Sequence, residues 1–143
     1  MHSNSARETI IRLTNPPMNV PKIMIPALDL IIMQNKIYKG DKVIRRITEI
    51  TEVCSSDEKI ELNPIYVWDP GKDDLVRTKN PSKVEQRLAE LKGWGEEEIK
   101  KEWEKRKAVL AWAAKGRKKR IYEVIGAYYT DPYSVLDEVG YGE

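Results

Sequence analysis

The sequence predicts an α+β protein, with strands paired in hairpins in its first part and helices in its last part. In residues 1–80, segments rich in Ile, Val and Thr alternate with turn residues, as expected of strands. From Asn80-Pro81 onward, apolar residues instead recur every three or four positions between helix-capping signals. We therefore place a domain boundary between residues 80 and 81 and expect residues 81–143 to form a helical subdomain.

The first predicted element is a short helix that begins after Ser5. Ser5 followed by Glu8 is a capping box, in which a hydroxyl and a carboxylate satisfy the free N–H groups of a helix start. The helix must end by Asn15, because Pro16-Pro17 removes two donors and forces an extended backbone. Val20-Pro21 then begins a short second turn or helix.

Two strands are predicted on either side of Gly40. Residues 28–33 are an apolar run of strand length that is typical of a buried strand, and residues 38–41 carry a turn signal. Residues 43–53 are rich in Ile, Thr and Val, which favours a second strand. Its apolar side chains fit neither a strand nor a helix cleanly, because they are three positions apart: Ile44, Ile47, Ile50 and Val53. We predict a hairpin across Gly40.

A second hairpin is predicted from residues 60–68 and 75–78. The two segments are separated by residues 69–74, which form a long turn rich in Asp, Gly and Pro. Pro64 marks a break or an edge in the first of these strands, because proline cannot donate to a strand ladder.

The helices of the last part are delimited by caps. Ser82 followed by Glu85 is a second capping box, and Gly93 ends the helix that it opens. A long helix follows over residues 96–115, with three glutamates in its first turn and Lys115 in its last. Asp131-Pro132 provides the N-cap and first residue of a short final helix.

A further helix that contains residues 121–129 precedes the final one, and each of the four helices has a predicted apolar stripe that would face a core. The stripes are Val84, Leu88 and Leu91; Ile99, Trp103, Leu110 and Ala114; Ile121, Val124, Ile125, Tyr128 and Tyr129; and Val135, Leu136 and Val139. Trp94 and Trp112 either pack between helices or form an interface anchor.

The composition excludes several classes of function. The 25 Lys and Arg residues nearly balance the 23 Asp and Glu residues, so a strongly basic nucleic-acid binder is excluded. The N-terminus lacks the basic and apolar regions of a signal peptide, and the most apolar stretch, residues 23–33, is broken by Pro26 and Asp29. We expect a cytoplasmic protein that could reach the inner face of the membrane only through partners.

The chain also lacks the motifs of common catalytic centres. One cysteine, Cys54, and one histidine, His2, exclude an internal disulfide, a multi-cysteine zinc site and any site that needs two histidines. No GxxxxGK[ST], GxGxxG, HExxH or GxSxG stretch occurs. We therefore expect no metal site and no complete catalytic centre.

Two clusters of basic residues remain as candidate binding sites. Arg45-Arg46 lies within a predicted strand, where neighbouring side chains face opposite sides, so at most one arginine points to the core. The pair is either salt-bridged on its hairpin or a contact for a phosphate or another subunit. The four consecutive cations at residues 117–120 are typical of a solvated turn between helices, and contact an acidic partner or membrane surface in the alternative reading.

The order of several stretches resembles the secretion-type P-loop ATPases, the motors of type II secretion, type IV pili and the archaellum. Residues 1–9 (MHSNSARET) resemble the His box and following helix of that family, and the resemblance covers essentially the whole chain. The archaeal branch in particular is indicated by residues 12–21 (RLTNPPMNVP), 27–29 (ALD), 43–50 (VIRRITEI), 62–70 (LNPIYVWDP) and the tail with its Tyr-Tyr-x-Asp-Pro.

The resemblance implies a fold, ligands and partners. Residues 1–80 would be the C-terminal portion of a RecA-like motor core, and His2 would be the His-box histidine near the γ-phosphate of ATP. Arg7, Arg45 and Arg46 would contact the nucleotide or a neighbouring subunit. The complete family enzyme uses ATP and Mg²⁺, assembles as a homohexamer and acts on a membrane platform protein.

The sequence departs from the family in one respect: it begins at the His box and has neither Walker A nor Walker B. Without them phosphoryl transfer loses both positioning and charge stabilisation, so we expect no ATP hydrolysis and no tight binding of nucleotide by this chain alone. The expectation is a fragment, remnant or C-terminal part of a motor. The alternatives are a free-standing adaptor that binds a complete motor and an α+β interaction domain unrelated to ATP.

Overall fold

A computed structural model describes residues 3–56, 59–116 and 120–142. It confirms the α+β class, and the chain forms two compact units, Met1–Gln86 and Arg87–Glu143. The division lies inside a helix, six residues beyond the boundary placed from the sequence. The elements are α1 (Ala6–Thr14), a 3₁₀ helix (Lys22–Ala27), β1 (Leu30–Lys39), β2 (Lys42–Ser56), β3 (Lys59–Asp69), β4 (Asp74–Arg77), α2 (Lys83–Lys92), α3 (Glu96–Gly116), α4 (Ile121–Thr130) and α5 (Pro132–Val139).

The first unit is built on an antiparallel sheet in the order β1-β2-β3-β4. Both predicted hairpins are present. The β1–β2 turn is formed by Gly40 and Asp41, and Gly40 has a φ of 59°, a conformation that glycine adopts without strain. The described residues contain no parallel strand pair, so no βαβ unit is formed within them.

Two register shifts occur along β2, and the one that adds a residue to β2 itself breaks the alternation of its side chains. Against β1, Gln34 pairs with Ile47 and Met33 pairs with Glu49, which leaves Thr48 as an extra residue in β2. Against β3, Ile50 pairs with Tyr66 and Thr51 pairs with Pro64, so the extra residue is Ile65 of β3, next to the predicted break at Pro64. Each such bulge interrupts the strict alternation of a strand, so no single period describes the segment.

The core of the first unit lies between α1 and one face of the sheet. Ala6, Ile31 and Met33 are buried together there, with Ile10, Val53 and Leu62 packed against them. The prediction that residues 28–33 form a buried strand holds for one face only: a strand is present from Leu30, but only its Ile31 and Met33 face is buried. Leu30 and Ile32, which alternate with the buried side chains, are 41% and 56% exposed. β1 is an outer strand with α1 on one face, so only every second side chain is covered.

Both predicted capping residues open their helices. The Ser5 hydroxyl accepts from the Glu8 N–H (3.1 Å), and the Glu8 carboxylate accepts from the N–H of Asn4 (2.7 Å). The Ser82 hydroxyl accepts from the Glu85 N–H (3.0 Å). The carboxylate of Glu85 does not complete that second box but forms an ion pair with Arg77 at 3.3 Å.

The helical unit has a core of its own, in which α3, α4 and α5 meet. The buried residues of this core are Val109, Val124, Tyr128, Val135 and Leu136, with Trp112, Ala113 and Val139 packed against them. The predicted stripe of α5 and the Val124 and Tyr128 positions of α4 are therefore confirmed. The Asp131 carboxylate caps α5 by accepting from the Ser134 N–H (3.2 Å).

Other predicted core positions of the helices are wrong. Trp103 and Leu110 of α3 are 45% and 47% exposed, and α3 packs instead through Val109, Trp112 and Ala113. Residues 108–114 are apolar on every side of the helix, so the sequence does not single out one stripe. The other predicted positions that are exposed are Leu91 (77%), Ala114, Ile121 (51%), Ile125 (41%) and Tyr129 (70%). In the described parts of the chain, no helix combines the length and apolarity needed to cross a membrane.

Candidate functional site: a basic cleft at the edge of the sheet

The β1–β2 hairpin carries a pair of cations beside a cleft of about 620 Å³. The cleft follows β1 from Ile31 to Lys36, and Ser3, Asn4 and Thr9 line it from the N-terminal segment and α1. Arg45 lines it from β2. Among the described strands β1 pairs only with β2, so the backbone groups on its other side can bind along this cleft. We call this feature the basic cleft.

The two cations of the basic cleft, Lys36 and Arg45, are directly opposite each other in the β1–β2 register. Like charges at such a position repel each other and destabilise a sheet. Both side chains are exposed, and Lys36 Nζ lies 5.1 Å from the centroid of the Tyr38 ring. Neither makes an ion pair with a carboxylate in the described residues. A bound anion would relieve the repulsion.

Arg46 does not line the basic cleft, and its side chain forms an ion pair with Asp73. Its Nε and Nη2 atoms each donate to a carboxylate oxygen of Asp73 at 2.9 Å. Trp68 Nε1 donates to the same carboxylate at 3.2 Å. Asp73 lies in the β3–β4 turn and has a φ of 51°, in the left-handed region that aspartate adopts more readily than most residues. Arg46 therefore links the two hairpins rather than facing the cleft.

The hydrogen bond from Arg46 is the main cause of a low pKa at Asp73. Together with the smaller contribution from Trp68, it lowers the pKa of the carboxyl from 3.8 to about 2, although burial acts in the opposite direction. The same bond raises the pKa of the Arg46 guanidinium. The pair is thus ionised throughout the physiological range.

The four residues singled out from the sequence are therefore not brought together. Arg45 lies in the basic cleft, Arg46 is paired with Asp73, and Arg7 is exposed on the first turn of α1 outside the lining of the cleft. His2 lies outside the described residues. Ser3 and Asn4, which follow it in the chain, line the same cleft as Arg45.

Sequence reasoning missed Lys36, and a signal for it was present. A two-residue turn at Gly40 and Asp41 pairs Lys39 with Lys42, and counting outward places residue 36 opposite residue 45. The partners of Arg46 had no such signal, because Asp73 lies 27 positions away in a turn whose direction only the fold sets.

The cleft offers charge for phosphates but no ligand for Mg²⁺. Lys36 and Arg45 suit phosphate or carboxylate oxygens, which a guanidinium can bind in a bidentate manner. None of the lining residues is Asp or Glu, the side chains with which proteins hold Mg²⁺. In the parts of the chain that the structure describes, no three His, Cys, Asp or Glu side chains gather as a metal site would require.

Three uncharacterized proteins of the archaeon Methanocaldococcus jannaschii are similar to this chain. MJ0781 is 37% identical over an alignment of 145 positions that covers 97% of this chain and 20% of that protein. MJ1287 is 40% identical over 103 residues (69% of this chain, 37% of that protein), and MJ0900 is 29% identical over 98 residues (65% and 18%). No family model matches the chain. The chain thus spans about a fifth to two fifths of the lengths of these relatives.

Proposed function

We propose that this chain is the C-terminal part of a secretion- or pilus-type motor ATPase and that its basic cleft contacts nucleotide phosphates held by the rest of the motor or by a neighbouring subunit. The observation that carries the proposal is the repelling pair Lys36 and Arg45. The two side chains face a cleft that is also lined by the residues following His2. In this role the chain supplies positive charge to phosphate oxygens and does not itself hold the metal ion.

Two further findings support this proposal. The sequence resembles the archaeal branch of the motor family, and the relatives found belong to an archaeon. Those relatives are several times longer than the region they share with this chain, as expected if the region is one portion of a larger machine. The hexamer, the membrane platform partner and the cytoplasmic location belong to this same proposal.

The first test is binding of a triphosphate by the purified chain. Titration with sodium tripolyphosphate at low salt should give a weak, salt-sensitive heat of binding, because two exposed cations attract the anion without enclosing it. Changing Lys36 and Arg45 together to Ala should abolish the signal, whereas Lys72→Ala on the other hairpin should not change it. Binding that is absent, or equal in both variants, would contradict the assignment of the cleft.

The second test concerns catalysis. The chain incubated with ATP and Mg²⁺ should release no phosphate above the buffer rate, because it has no P-loop to position the transferred group. MJ0781, purified whole, should release phosphate if the motor assignment extends to this relative. Turnover that follows the isolated chain through purification, or a MJ0781 preparation that is folded and inactive, would count against the proposal.

A free-standing adaptor that binds a complete motor is the second candidate. The observation that favours it is that, in the described residues, every buried side-chain nitrogen or oxygen already has a hydrogen-bond partner. Such satisfaction is typical of a protein that folds by itself. An adaptor would form a stoichiometric complex with an intact archaeal motor in size-exclusion chromatography, whereas a motor part would not bind a motor that already contains this region.

A further inference from the structure

The helical unit contains a half-open groove between its helices that the proposed function does not use. Its volume is about 590 Å³, and Leu88, Ile99 and Leu136 supply apolar lining from α2, α3 and α5. We call it the aromatic groove, because Trp94, Trp103, Tyr128, Tyr129 and Tyr133 also line it. All of its residues belong to the second unit.

Three of the five aromatic side chains at the groove are unusually accessible, whereas Tyr128 is buried. Trp103 is 45% exposed, Tyr129 is 70% exposed and Tyr133 is 81% exposed. Leu91, one helical turn from Leu88 on α2, is 77% exposed and extends the apolar surface beyond the groove. Exposed apolar surface that is continuous with a groove and bordered by polar residues is characteristic of a binding surface.

One wall of the groove is held in place before any ligand arrives. The Arg106 guanidinium stacks over the rings of Tyr128 (5.4 Å) and Tyr129 (5.3 Å). Its Nε donates to the Glu102 carboxylate at 2.7 Å, and the Tyr128 hydroxyl donates to the same oxygen at 3.2 Å. These contacts fix the rotamers of the wall, so a ligand would not have to order them.

The groove carries an excess of positive charge. Its lining includes Lys92, Lys105 and Arg106 but only one carboxylate, that of Glu102, which Arg106 already neutralises. Lys92 and Lys105 make no ion pair in the described part of the chain. An occupant with negative charges beside apolar side chains would therefore match both the apolar lining of the groove and its two lysines.

We propose that the aromatic groove binds an acidic, amphipathic helix of a partner protein. A helix laid in a groove presents apolar side chains at positions i, i+3 or i+4 and i+7 to the floor, and its flanking carboxylates would meet Lys92 and Lys105. A small molecule inside the groove would leave the outer faces of Trp103, Tyr129 and Tyr133 in water. A helix would cover them, and Trp, Tyr and Arg are the residues that dominate binding energy at interfaces.

The test is selection of random 16-residue peptides displayed on phage against the immobilised full chain. Enriched peptides should be net negative and carry the helical apolar spacing. A fluorescein-labelled enriched peptide should then bind in fluorescence anisotropy, with an affinity that falls when the salt concentration is raised from 50 to 500 mM. The Debye length is about 10 Å at 0.1 M salt and shorter above it, so the attraction between the peptide and the groove is screened over this range.

Variants separate the groove from the rest of the surface. Trp103→Ala and the double change Lys92→Glu with Lys105→Glu should each weaken peptide binding about tenfold or more, the loss typical of an interface anchor. Tyr122→Ala and Lys101→Glu alter exposed residues outside the groove and should leave binding unchanged. All four proteins should keep the wild-type circular dichroism, because the changed side chains are accessible.

Three results would overturn the proposal. One is a selection that enriches no peptide over a blank surface, and another is enrichment of basic peptides. The third is self-association of the chain in sedimentation equilibrium that Trp103→Ala abolishes, since the groove would then be an interface between two copies. The basic cleft is untouched by these variants, so a negative result here leaves tripolyphosphate binding as a separate question.

Discussion

Glu52 caps a helix from a strand 30 residues away in the sequence. Its carboxylate accepts hydrogen bonds from the Lys83 N–H (2.9 Å), the Val84 N–H (3.0 Å), Asn63 Nδ2 (3.1 Å) and the Ser82 hydroxyl. Burial, which leaves Glu52 only 1% exposed, would by itself raise its pKa. The four hydrogen bonds outweigh burial and lower the pKa, so the group is charged at the start of α2, where negative charge is favourable.

Glu52→Gln should destabilise the first unit by about 1–3 kcal/mol, the cost of leaving a buried donor unmatched, because the amide group offers one acceptor where four donors converge. Urea unfolding at pH 7 measures the free-energy change. Glu61→Gln, at an exposed position of β3, is the matched control and should leave the free energy of unfolding within about 0.5 kcal/mol of wild type. Equal stability of the two variants would show that the cap does not contribute.

The Arg46–Asp73 pair should give the chain a component of acid sensitivity. Since the pKa of Asp73 falls from 3.8 to about 2 on folding, the pair stabilises the folded state fully above pH 4, and this contribution is lost as the pH falls through 2. Asp73→Asn should therefore lower the melting temperature at pH 7, and the difference from wild type should shrink between pH 4 and pH 2. Asp41→Asn, at the exposed β1–β2 turn, is the control, and its difference from wild type should not shrink in this way. If the difference between Asp73→Asn and wild type stays constant with pH, the assignment is contradicted.

At the scale of elements, α3 packs through Val109, Trp112 and Ala113 rather than through Trp103 and Leu110. Val109 is 4% exposed and Ala113 packs beside it, while Trp103 and Leu110 remain near half exposure. The small side chains of Val109 and Ala113 let a neighbouring helix approach α3 closely on this side. Trp103 of α3 and Tyr129 of α4 both line the aromatic groove.

Leu136→Ala and Leu110→Ala form a matched pair that tests this packing. Leu136 is 8% exposed within the helical core, so its truncation should cost about 2–5 kcal/mol. Leu110 is 47% exposed, and the same truncation should cost less than about 1 kcal/mol. Thermal unfolding followed by circular dichroism at 222 nm measures both; similar costs would mean that α3 packs through its other side.

The caps and turns were the elements that local sequence determined most completely. Ser5, Ser82 and Asp131 act within three residues of themselves, so their hydrogen bonds could be predicted without knowing the fold. The exposed face of β1 and the partner of Arg46 could not be predicted, because each depends on which distant element lies alongside. Of the two cations of the basic cleft, Arg45 was singled out from the sequence, whereas Lys36 required the hairpin register.

At the scale of the whole molecule, the chain consists of two units with separate cores. The sheet unit buries Ala6, Ile31 and Met33, and the helical unit buries residues of α3, α4 and α5. A unit with its own core satisfies the main physical requirement for independent folding. The basic cleft and the aromatic groove lie in different units, which makes them separable by experiment.

Residues 81–143 expressed alone should be helical and melt cooperatively. The core around Val124 and Leu136 is complete within this segment, but the cap that Glu52 provides to α2 is lost. We therefore expect faster hydrogen exchange at the Lys83 and Val84 amides than in the full chain, with unchanged protection in α4 and α5. Loss of cooperative melting would mean that the helical unit does not fold by itself.

The extra residue at Thr48 has a consequence for how the β1–β2 hairpin can change. It separates the turn-proximal half, which carries Lys36 and Arg45, from the half that packs under α1. A bulge absorbs small shifts of register and twist, so substitutions near the turn need not propagate to Ile31 and Met33. Substitutions in the turn-proximal half of the hairpin can therefore change the charge and ligand preference of the basic cleft, while the core around Ile31 and Met33 is kept.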